Sequence, residues 1–242
     1  MRHVLLDRYS HRDSPVHRRD PRAKILGVLA ALLLVISEPA GALSPFVGYA
    51  LLAILLLGLG RVPTAFVLKR MLLVAPIVLT AALFLVLEGG TSWDGGLGAG
   101  VSMGLKAFIA VALVTLLTAT ERLHRILAGF RSLGMPRTLT TLAAFMYRYG
   151  LILADEVVRT SQAQASRTPG RLRAGRFRTY GGQAGMIFLR GWRRSRRVYQ
   201  AMRSRGFTGS FPGVPALAMG WADLLFLVAM AGGFALVRGL WP

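Results

Sequence analysis

Five runs of apolar residues recur along the chain, at residues 23–37, 42–59, 71–87, 101–119 and 222–240. An α-helix rises 1.5 Å per residue, so about 17 to 20 residues are needed to cross the hydrocarbon core of a bilayer. The pattern therefore predicts an all-α polytopic membrane protein with about five transmembrane helices. The first run is short for a full crossing, so its ends should reach into the membrane interface.

Most basic residues lie on one side of these predicted spans. Residues 1–24 and the loop between the second and third runs contain Arg2, Arg8, Arg12, Arg18, Arg19, Arg22, Lys24, Arg61, Lys69 and Arg70. The turns at 38–42 and 88–100 contain acidic residues and no Lys or Arg. Because cytoplasmic loops are enriched in Lys and Arg, the N-terminus is predicted to be cytoplasmic and these turns external. Five spans place the C-terminus outside, where Arg238 does not fit the rule. Lys106, near the outer end of the fourth span, should reach the interface with its long side chain.

The composition agrees with a membrane protein and excludes several other classes. The 242 residues are 54% hydrophobic, carry a net charge of +20 and include no cysteine. A soluble basic nucleic-acid binder would be more polar, a disulfide scaffold needs cysteines, and a disordered chain would be less apolar. We divide the chain into a cytoplasmic N-terminal segment (1–22), four transmembrane helices (23–119), cytoplasmic or interfacial helices (120–220) and a C-terminal transmembrane helix (221–242).

Two amphipathic helices are predicted in the region between the fourth and fifth spans. Residues 138–154 are apolar, but Arg148 lies in their middle and both flanks are basic, which favours a helix at the cytoplasmic boundary. This helix should continue to Arg167, where Thr168-Pro169-Gly170 ends it. In the second helix, at 185–205, one stripe recurs at spacings of three and four and consists of Phe188, Trp192, Ser195, Tyr199 and Met202.

Both predicted helices finish in an arginine that precedes a helix-breaking residue. The second should end at Arg205-Gly206, where glycine can adopt the left-handed capping conformation, and Phe207 follows. Residues 159–206 contain thirteen arginines, no lysine and no acidic residue, which favours planar, bidentate contacts over simple charge attraction. These tips could dock into a groove of a cytoplasmic partner. A basic hairpin that rests on anionic lipid explains the same pattern.

No catalytic or metal-binding motif can be recognised in the sequence. A phosphate-binding loop needs a lysine after glycine, and none of the three lysines follows one. The histidines at positions 3, 11, 17 and 124 have no regular helical spacing and no cysteine to assist them in metal binding. We therefore expect no enzymatic activity, no metal site and no cofactor in this chain.

Several short motifs identify a family resemblance. They are Asp7-Arg8-Tyr9-Ser10, Ser14-Pro15, Asp20-Pro21-Arg22-Ala23-Lys24, Leu133-Gly134-Met135-Pro136, Tyr147-Arg148-Tyr149, Ser166-Arg167-Thr168 and Ser204-Arg205-Gly206 with Phe207. Over nearly its whole length the chain resembles the transmembrane T subunit of energy-coupling factor (ECF) transporters, in particular the CbiQ type of cobalt or nickel uptake systems. The family usually has Ala/Ser-Arg-Gly at the two arginine motifs. Thr168 departs from that pattern, which leaves the exact end of the first helix open.

The resemblance implies a non-catalytic coupling subunit in the bacterial inner membrane. Residues 120–220 would form its coupling helices, and the motifs at Arg167 and Arg205 would each contact one of two cytoplasmic ABC-type ATPase subunits, which bind ATP and Mg²⁺. Motion of the ATPases would pass to a CbiM-like membrane subunit that binds the substrate, and the complex can include a small accessory membrane subunit. Asp20, Pro21, Arg22, Lys24, Pro136 and Arg148 would belong to the family's structural motifs.

Two other functions fit parts of the sequence. One is a membrane subunit of another ECF or ABC importer, for a vitamin or a different metal, although the N-terminal motifs favour the cobalt type. The other is a basic membrane anchor that binds anionic lipid or nucleic acid through residues 159–206. The sequence does not distinguish cobalt from nickel, because the resemblance assigns the choice of ion to another subunit.

Overall fold

A computed structural model describes residues 14, 16–39, 43–90, 92, 96–167, 176–209 and 219–240, and only the backbone at residues 167 and 176–179. These ranges contain eight α-helices and no strand, which confirms the predicted all-α class. The helices are α1 (Pro21–Ile36), α2 (Ser44–Leu59), α3 (Thr64–Gly89), α4 (Gly98–Thr120), α5 (Leu123–Ser132), α6 (Arg137–Arg167), α7 (Arg176–Arg203) and α8 (Trp221–Leu240).

Within the described ranges, three helices are long and apolar enough to cross a membrane. They are α3, α4 and α8. Helices α1 and α2 have 16 residues each, which corresponds to a length of about 24 Å against a hydrocarbon core of about 30 Å. The apolar runs predicted from the sequence therefore all form helices, but five complete crossings stay a prediction.

Helix α3 begins earlier than the apolar run 71–87 predicts. Its first residue is Thr64, so Lys69 and Arg70 lie inside the helix and not in the loop to which the sequence pattern assigns them. The Arg70 side chain donates a hydrogen bond of 2.7 Å to the hydroxyl of Thr118 on α4. This contact gives the charge a partner on the neighbouring helix, which allows the helix to include it.

Helix α5 is an element that the apolar pattern does not predict. Its apolar residues Ile126 to Phe130 lie between Arg125 and Arg131, so the hydrophobic run is too short to indicate a span. The helix packs against α1 through Gly129, where an added Cβ atom would lie only 2.8 Å from Cδ1 of Ile25. Only glycine allows this close approach without a shift of Ile25.

The described helices form two compact units. The first contains α1 to α5 and α8, and the second contains α6 and α7. The first unit has an aromatic centre, in which the rings of Tyr49 and Phe234 stack with their centroids 5.5 Å apart and Phe46 contacts Tyr49 edge-on. Helices α1, α2, α4 and α8 contribute most of the buried apolar residues around these rings.

Apolar side chains also cover much of the outer surface of the first unit. On α3, Leu72, Leu73 and Leu87 are each between 73% and 76% exposed, and only Val67 and Val78 are buried. A soluble domain rarely leaves such a continuous apolar helix face in water. The surface of α3 is that of a helix in contact with lipid or with another membrane-embedded protein.

Lys106 has a defined partner at the C-terminal end of α1. Its Nζ atom donates hydrogen bonds to the carbonyl oxygens of Glu38, at 2.6 Å, and Ile36, at 3.2 Å. The last carbonyls of a helix have no partner within the helix, so this ammonium group caps α1. The expectation that Lys106 only extends toward the interface is therefore incomplete.

Candidate partner-binding site in the arginine-rich helix pair

The arginine-rich helix pair consists of α6 and α7, and α6 starts directly after Pro136. The Pro136 carbonyl accepts hydrogen bonds from the backbone N–H groups of Leu139 and Thr140, at 3.1 and 3.2 Å. Proline fixes an extended entry into the helix and lacks the N–H that would stay unpaired there. Arg148 lies exposed in the middle of α6. The single helix that the sequence predicts from residue 138 to Arg167 is confirmed as Arg137–Arg167.

The C-terminal end of α7 forms a glycine-based cap around Arg205. Gly206 has a φ of +80°, in the left-handed region that favours glycine, as its sequence position predicts. The N–H of Phe207 donates to the carbonyl of Met202, and the N–H of Gly206 donates to that of Arg203, both at 3.0 Å. These two bonds define a Schellman motif, in which Arg205 is the last residue before the chain reverses its direction.

The cap leaves the Arg205 side chain at an exposed tip. Ser204, Arg205 and Gly206 are all exposed, whereas Met202 and Phe207 are half-buried beneath them. Helix α7 ends at Arg203, two residues before the predicted end at Arg205, and the turn of the cap occupies Ser204 to Gly206. A rigid backbone therefore presents a guanidinium group for contact with another molecule.

The motif at the end of α6 shares part of this local geometry. The Ser166 hydroxyl donates to the carbonyl of Ala163 at 2.9 Å, and the Ser204 hydroxyl donates to that of Ala201 at 3.0 Å. Helix α6 extends through Arg167, where only the backbone is described. Thr168, like Pro169 and Gly170, lies outside the described residues, so the effect of this departure from the family pattern stays open.

A groove with a volume of about 750 Å³ runs between α6 and α7. Its wall contains Phe145, Tyr149 and Leu153 from α6 and Tyr180, Ile187 and Trp192 from α7. The predicted α7 stripe does not form a buried face, because Phe188, Trp192 and Tyr199 are between 56% and 69% exposed. Met202 is the half-buried member of the stripe, and the other half-buried positions of α7 lie beside it, at Gln183, Ile187, Gly191 and Val198. The pair therefore exposes aromatic side chains beside its arginines.

The N-terminal family motif has a structural role in the first unit. The Asp20 side chain accepts a hydrogen bond of 2.8 Å from the N–H of Arg22, and Pro21 occupies the first position of α1. An acceptor at the N-cap followed by proline is a strong helix start. Lys24, one turn further, is buried and forms an ion pair of 2.5 Å with Glu121. Asp7 to Ser10 and Pro15 lie outside the described residues.

Sequence reasoning did not identify the partners of this motif. Glu121 follows the last residue of α4, and its side chain is 1% exposed. Asp223, in the first turn of α8, accepts a hydrogen bond of 3.0 Å from the backbone N–H of Asp20. A buried basic residue in a helix needs a carboxylate partner. The chain has only 10 acidic residues, so this short list of possible partners was the available signal.

Among the described residues, no group of three or more histidine, cysteine, aspartate or glutamate side chains is arranged to hold a metal ion. His3 and His11 lie outside these residues, and Nδ1 of His17 lies 2.7 Å from the Ser14 hydroxyl. The helix pair offers exposed arginines and an apolar groove to another molecule.

Comparison with known proteins gives several relatives along most of the chain. The chain is 27% identical to the energy-coupling factor transporter transmembrane protein EcfT of Listeria innocua, over 96% of both chains. It is 27% identical to the EcfT of Thermosediminibacter oceani, over 100% of both chains. With the EcfT of Thermanaerovibrio acidaminovorans it shares 29% identity, over 85% of this chain and 84% of the relative.

The family match includes helices α1 to α7 and ends before α8. Residues 12–214 match the CbiQ family, which is described as a cobalt transport protein. The matched range includes the buried motif at Asp20–Lys24 and both arginine motifs, whereas Asp7 to Ser10 lie before it. The chain belongs to the CbiQ family of membrane transport proteins.

Proposed function

We propose that this protein is the transmembrane coupling subunit of an ECF-type importer for cobalt or nickel, located in the bacterial inner membrane. The observation that carries the proposal is the exposed Arg205, which a Schellman cap holds at the end of α7. The names of the EcfT relatives and the description of the CbiQ family support a transport role. The chain would transmit motion and would itself catalyse no reaction.

Two cytoplasmic ABC-type ATPase subunits would bind the arginine tips, one at Arg205 and the other at Arg167. A guanidinium stays charged in a partly buried groove and donates up to five hydrogen bonds, so one side chain can anchor such a contact. Residues 166–168 and 204–207 would together form the two contact sites. ATP and Mg²⁺ would be held by the ATPases, whose opening and closing would move the tips.

A substrate-binding membrane subunit would receive this motion from the helix pair. The exposed aromatic residues Phe188, Trp192 and Tyr199 offer an apolar surface that another membrane protein can cover. The choice of cobalt follows the description of the family, and the metal ion would be cargo that the substrate-binding subunit recognises. A small accessory membrane subunit can complete the complex.

Co-purification tests this function most directly. The affinity-tagged chain, isolated from its native membrane, should bring with it ABC-type ATPase chains at two copies per chain. The purified chain alone should hydrolyse no ATP, and the complex should hydrolyse it. An ATPase-free preparation that binds nucleic acid or anionic vesicles, and loses them steeply as the salt concentration rises, would contradict the proposal and favour a basic membrane anchor.

The predicted orientation can be tested by cysteine labelling, since the natural chain contains no cysteine. Ser92 and Thr64 are exposed residues at opposite ends of α3. With the N-terminus in the cytoplasm, Ser92→Cys should react with an impermeant thiol reagent added to intact cells. Thr64→Cys should react only after the membrane is permeabilised. The reverse pattern would place both arginine motifs outside the cell, away from any ATPase.

A further inference from the structure

Two chain connections join the second unit to the first. The second unit spans residues 134–215, so the chain leaves the first unit after α5 and returns to it before α8. A force on the helix pair that travels along the chain therefore reaches the first unit through α5 or through α8. How firmly these two helices are held decides how much of such a force is lost in displacing them.

Helix α5 is held by the first two turns of α1. An added Cβ atom on Gly129 would lie 2.8 Å from Cδ1 of Ile25 and 3.4 Å from Cβ of Pro21. Ile25 and Pro21 are both buried. The chain that leads into α5 is fixed at the same place, because Lys24 forms its ion pair with Glu121, two residues before α5 begins.

The start of α8 is held by the same part of α1. Oδ1 of Asp223 accepts a hydrogen bond of 3.0 Å from the backbone N–H of Asp20, and Oδ2 accepts one of 2.9 Å from the N–H of Gly220. Further along, an added Cβ atom on Gly27 would lie 2.9 Å from Sδ of Met230. The two contacts join residues that are equally far apart in the sequence, so α1 and α8 run parallel from their first turns onward.

These contacts share a short, buried stretch of α1. Asp20, Pro21, Lys24 and Ile25 lie within six residues, and all four are buried. The Asp20 side chain also caps α1 through the N–H of Arg22. A displacement of α8 that breaks its contact with Asp20 therefore also loosens the first turn of α1, against which α5 packs. The two attachments depend on each other, although α5 and α8 lie on opposite sides of the second unit in the sequence.

We propose that residues 20–25, at the start of α1, form a common mount for α5 and α8. The mount holds both helices against one short segment, so a force that arrives through either connection is opposed by the contacts of both. Its use in transport rests on the proposed coupling function, whereas its existence does not. Asp20, Gly129 and Asp223 are positioning residues in this arrangement, since they act through the positions of α5 and α8.

Hydrogen exchange on the full-length chain in lipid nanodiscs tests the mount, because the exchange of a protected amide follows the local opening of the structure around it. Asp223→Ala should speed exchange in the first turn of α8 by about tenfold or more, the effect of a lost charge-assisted hydrogen bond. A common mount predicts that exchange also becomes several times faster in α5. Asp223→Asn keeps one carbonyl oxygen as an acceptor, so both effects should be smaller.

A change on the α5 side should have the converse effect. Gly129→Ala introduces a Cβ atom that displaces Ile25, so exchange should become faster in α5 and also in the first turn of α8. Gly58→Ala is the matched control, the same change at a helical glycine of α2 where no described neighbour would lie within 4 Å of the added Cβ atom. It should leave both regions unchanged. Gly129→Ala and Asp223→Asn are small changes, which keep the test decisive if Asp223→Ala fails to fold.

Transport measurements show whether the mount is used. In the complete complex, reconstituted in liposomes, Asp223→Ala should leave the ATPases bound and active, because it changes neither arginine tip. Metal uptake per ATP hydrolysed should fall several-fold, and Asp223→Asn should restore part of it. A variant that only reduced the amount of folded complex would lower hydrolysis and uptake equally.

The outcomes also separate the mount from the proposed function. If Asp223→Ala affects exchange in α8 alone and Gly129→Ala affects it in α5 alone, the mount is wrong, even where two ATPases co-purify with the chain. If each variant affects both helices but no ATPase co-purifies with the unchanged chain, the mount is correct and the coupling function is wrong. Equal losses of hydrolysis and uptake in Asp223→Ala would contradict the use of the mount in transport.

Discussion

Replacement of Arg205 by alanine should weaken binding of the ATPase by about one to two orders of magnitude, because a partly buried, charge-assisted hydrogen bond contributes about 1.5–3 kcal/mol. Cobalt or nickel uptake should fall with it, since an ATPase that dissociates cannot move the helix. The measurements are metal accumulation in cells and the amount of ATPase that co-purifies with the tagged chain.

The membrane fold should tolerate this change. The Arg205 side chain is exposed, and the cap is formed by backbone groups of Met202, Arg203 and Phe207, which alanine leaves in place. Arg205→Lys should restore only part of the uptake, because an ammonium group lacks the planar fork of a guanidinium. Arg197→Ala is the matched control, an exposed arginine of the same helix outside the motif, and should have a much smaller effect.

Loss of both tips should have a larger effect than loss of either one. With Arg167→Ala and Arg205→Ala together, neither ATPase would keep its arginine contact, and uptake should be almost abolished. The tip assignment is wrong if Arg205→Ala retains full uptake and its ATPase partner while Arg197→Ala loses both. That result would mean that the ATPase contacts the side of α7 and not its end.

The helices of the first unit were largely predictable, because hydrophobic runs have a direct physical meaning in a membrane protein. The run 222–240 and helix α8 agree to within one residue at the start. The start of α3 was not predictable from hydropathy, since Lys69 and Arg70 interrupt the run there. Hydropathy records the cost of a charge but contains no information about a hydroxyl such as that of Thr118 on the adjacent helix.

The cap of α7 was predictable and the surface of that helix was not. Gly206 follows a polar helix end, and the left-handed conformation of glycine is a local property of the backbone. Which face of α7 meets α6 depends instead on tertiary packing. The large side chains at positions 188, 192 and 199 stay mostly exposed, whereas Gly191, which has no side chain, lies against the side chain of Leu153 on α6.

The partners of the N-terminal motif depend on contacts between distant parts of the chain. Lys24 and Glu121 are 97 positions apart, and Asp20 and Asp223 are 203 positions apart. One sequence without an alignment holds no record of such pairs. The motif could therefore be recognised as a helix start, but its connection to the α4–α5 junction and to α8 could not be derived.

Removal of one member of the Lys24–Glu121 pair should destabilise the first unit strongly. Both side chains are at most 3% exposed, and their charged atoms lie 2.5 Å apart. A buried charge that loses its partner is desolvated without compensation, which costs about 3–5 kcal/mol. Glu121→Leu should therefore lower the thermal unfolding temperature of the purified chain markedly, and unfolding in detergent, followed by tryptophan fluorescence, measures it.

The two single variants should differ. Lys24→Met leaves the Glu121 carboxylate near Nε of Arg125, at 3.5 Å, and the side chain of Arg125 is 40% exposed and can move closer. In Glu121→Leu, no other acidic side chain among the described residues hydrogen-bonds to the Lys24 ammonium group, which keeps the backbone carbonyl of His17 at 3.5 Å. Glu121→Leu should consequently be the more destabilising change.

The double variant Lys24→Met with Glu121→Leu should recover most of the stability, because two apolar side chains of similar volume replace a pair that has to be desolvated as a whole. Arg190→Met provides the control for burial. Its ion pair with Glu156 also measures 2.5 Å, but the two side chains are 55% and 27% exposed, so its loss should cost about 1 kcal/mol or less. Equal losses of stability in Arg190→Met and Glu121→Leu would contradict the role of burial. A double variant as unstable as Glu121→Leu would show that the ion pair itself, and not the avoidance of an unpaired charge, stabilises the junction of α1, α4 and α5.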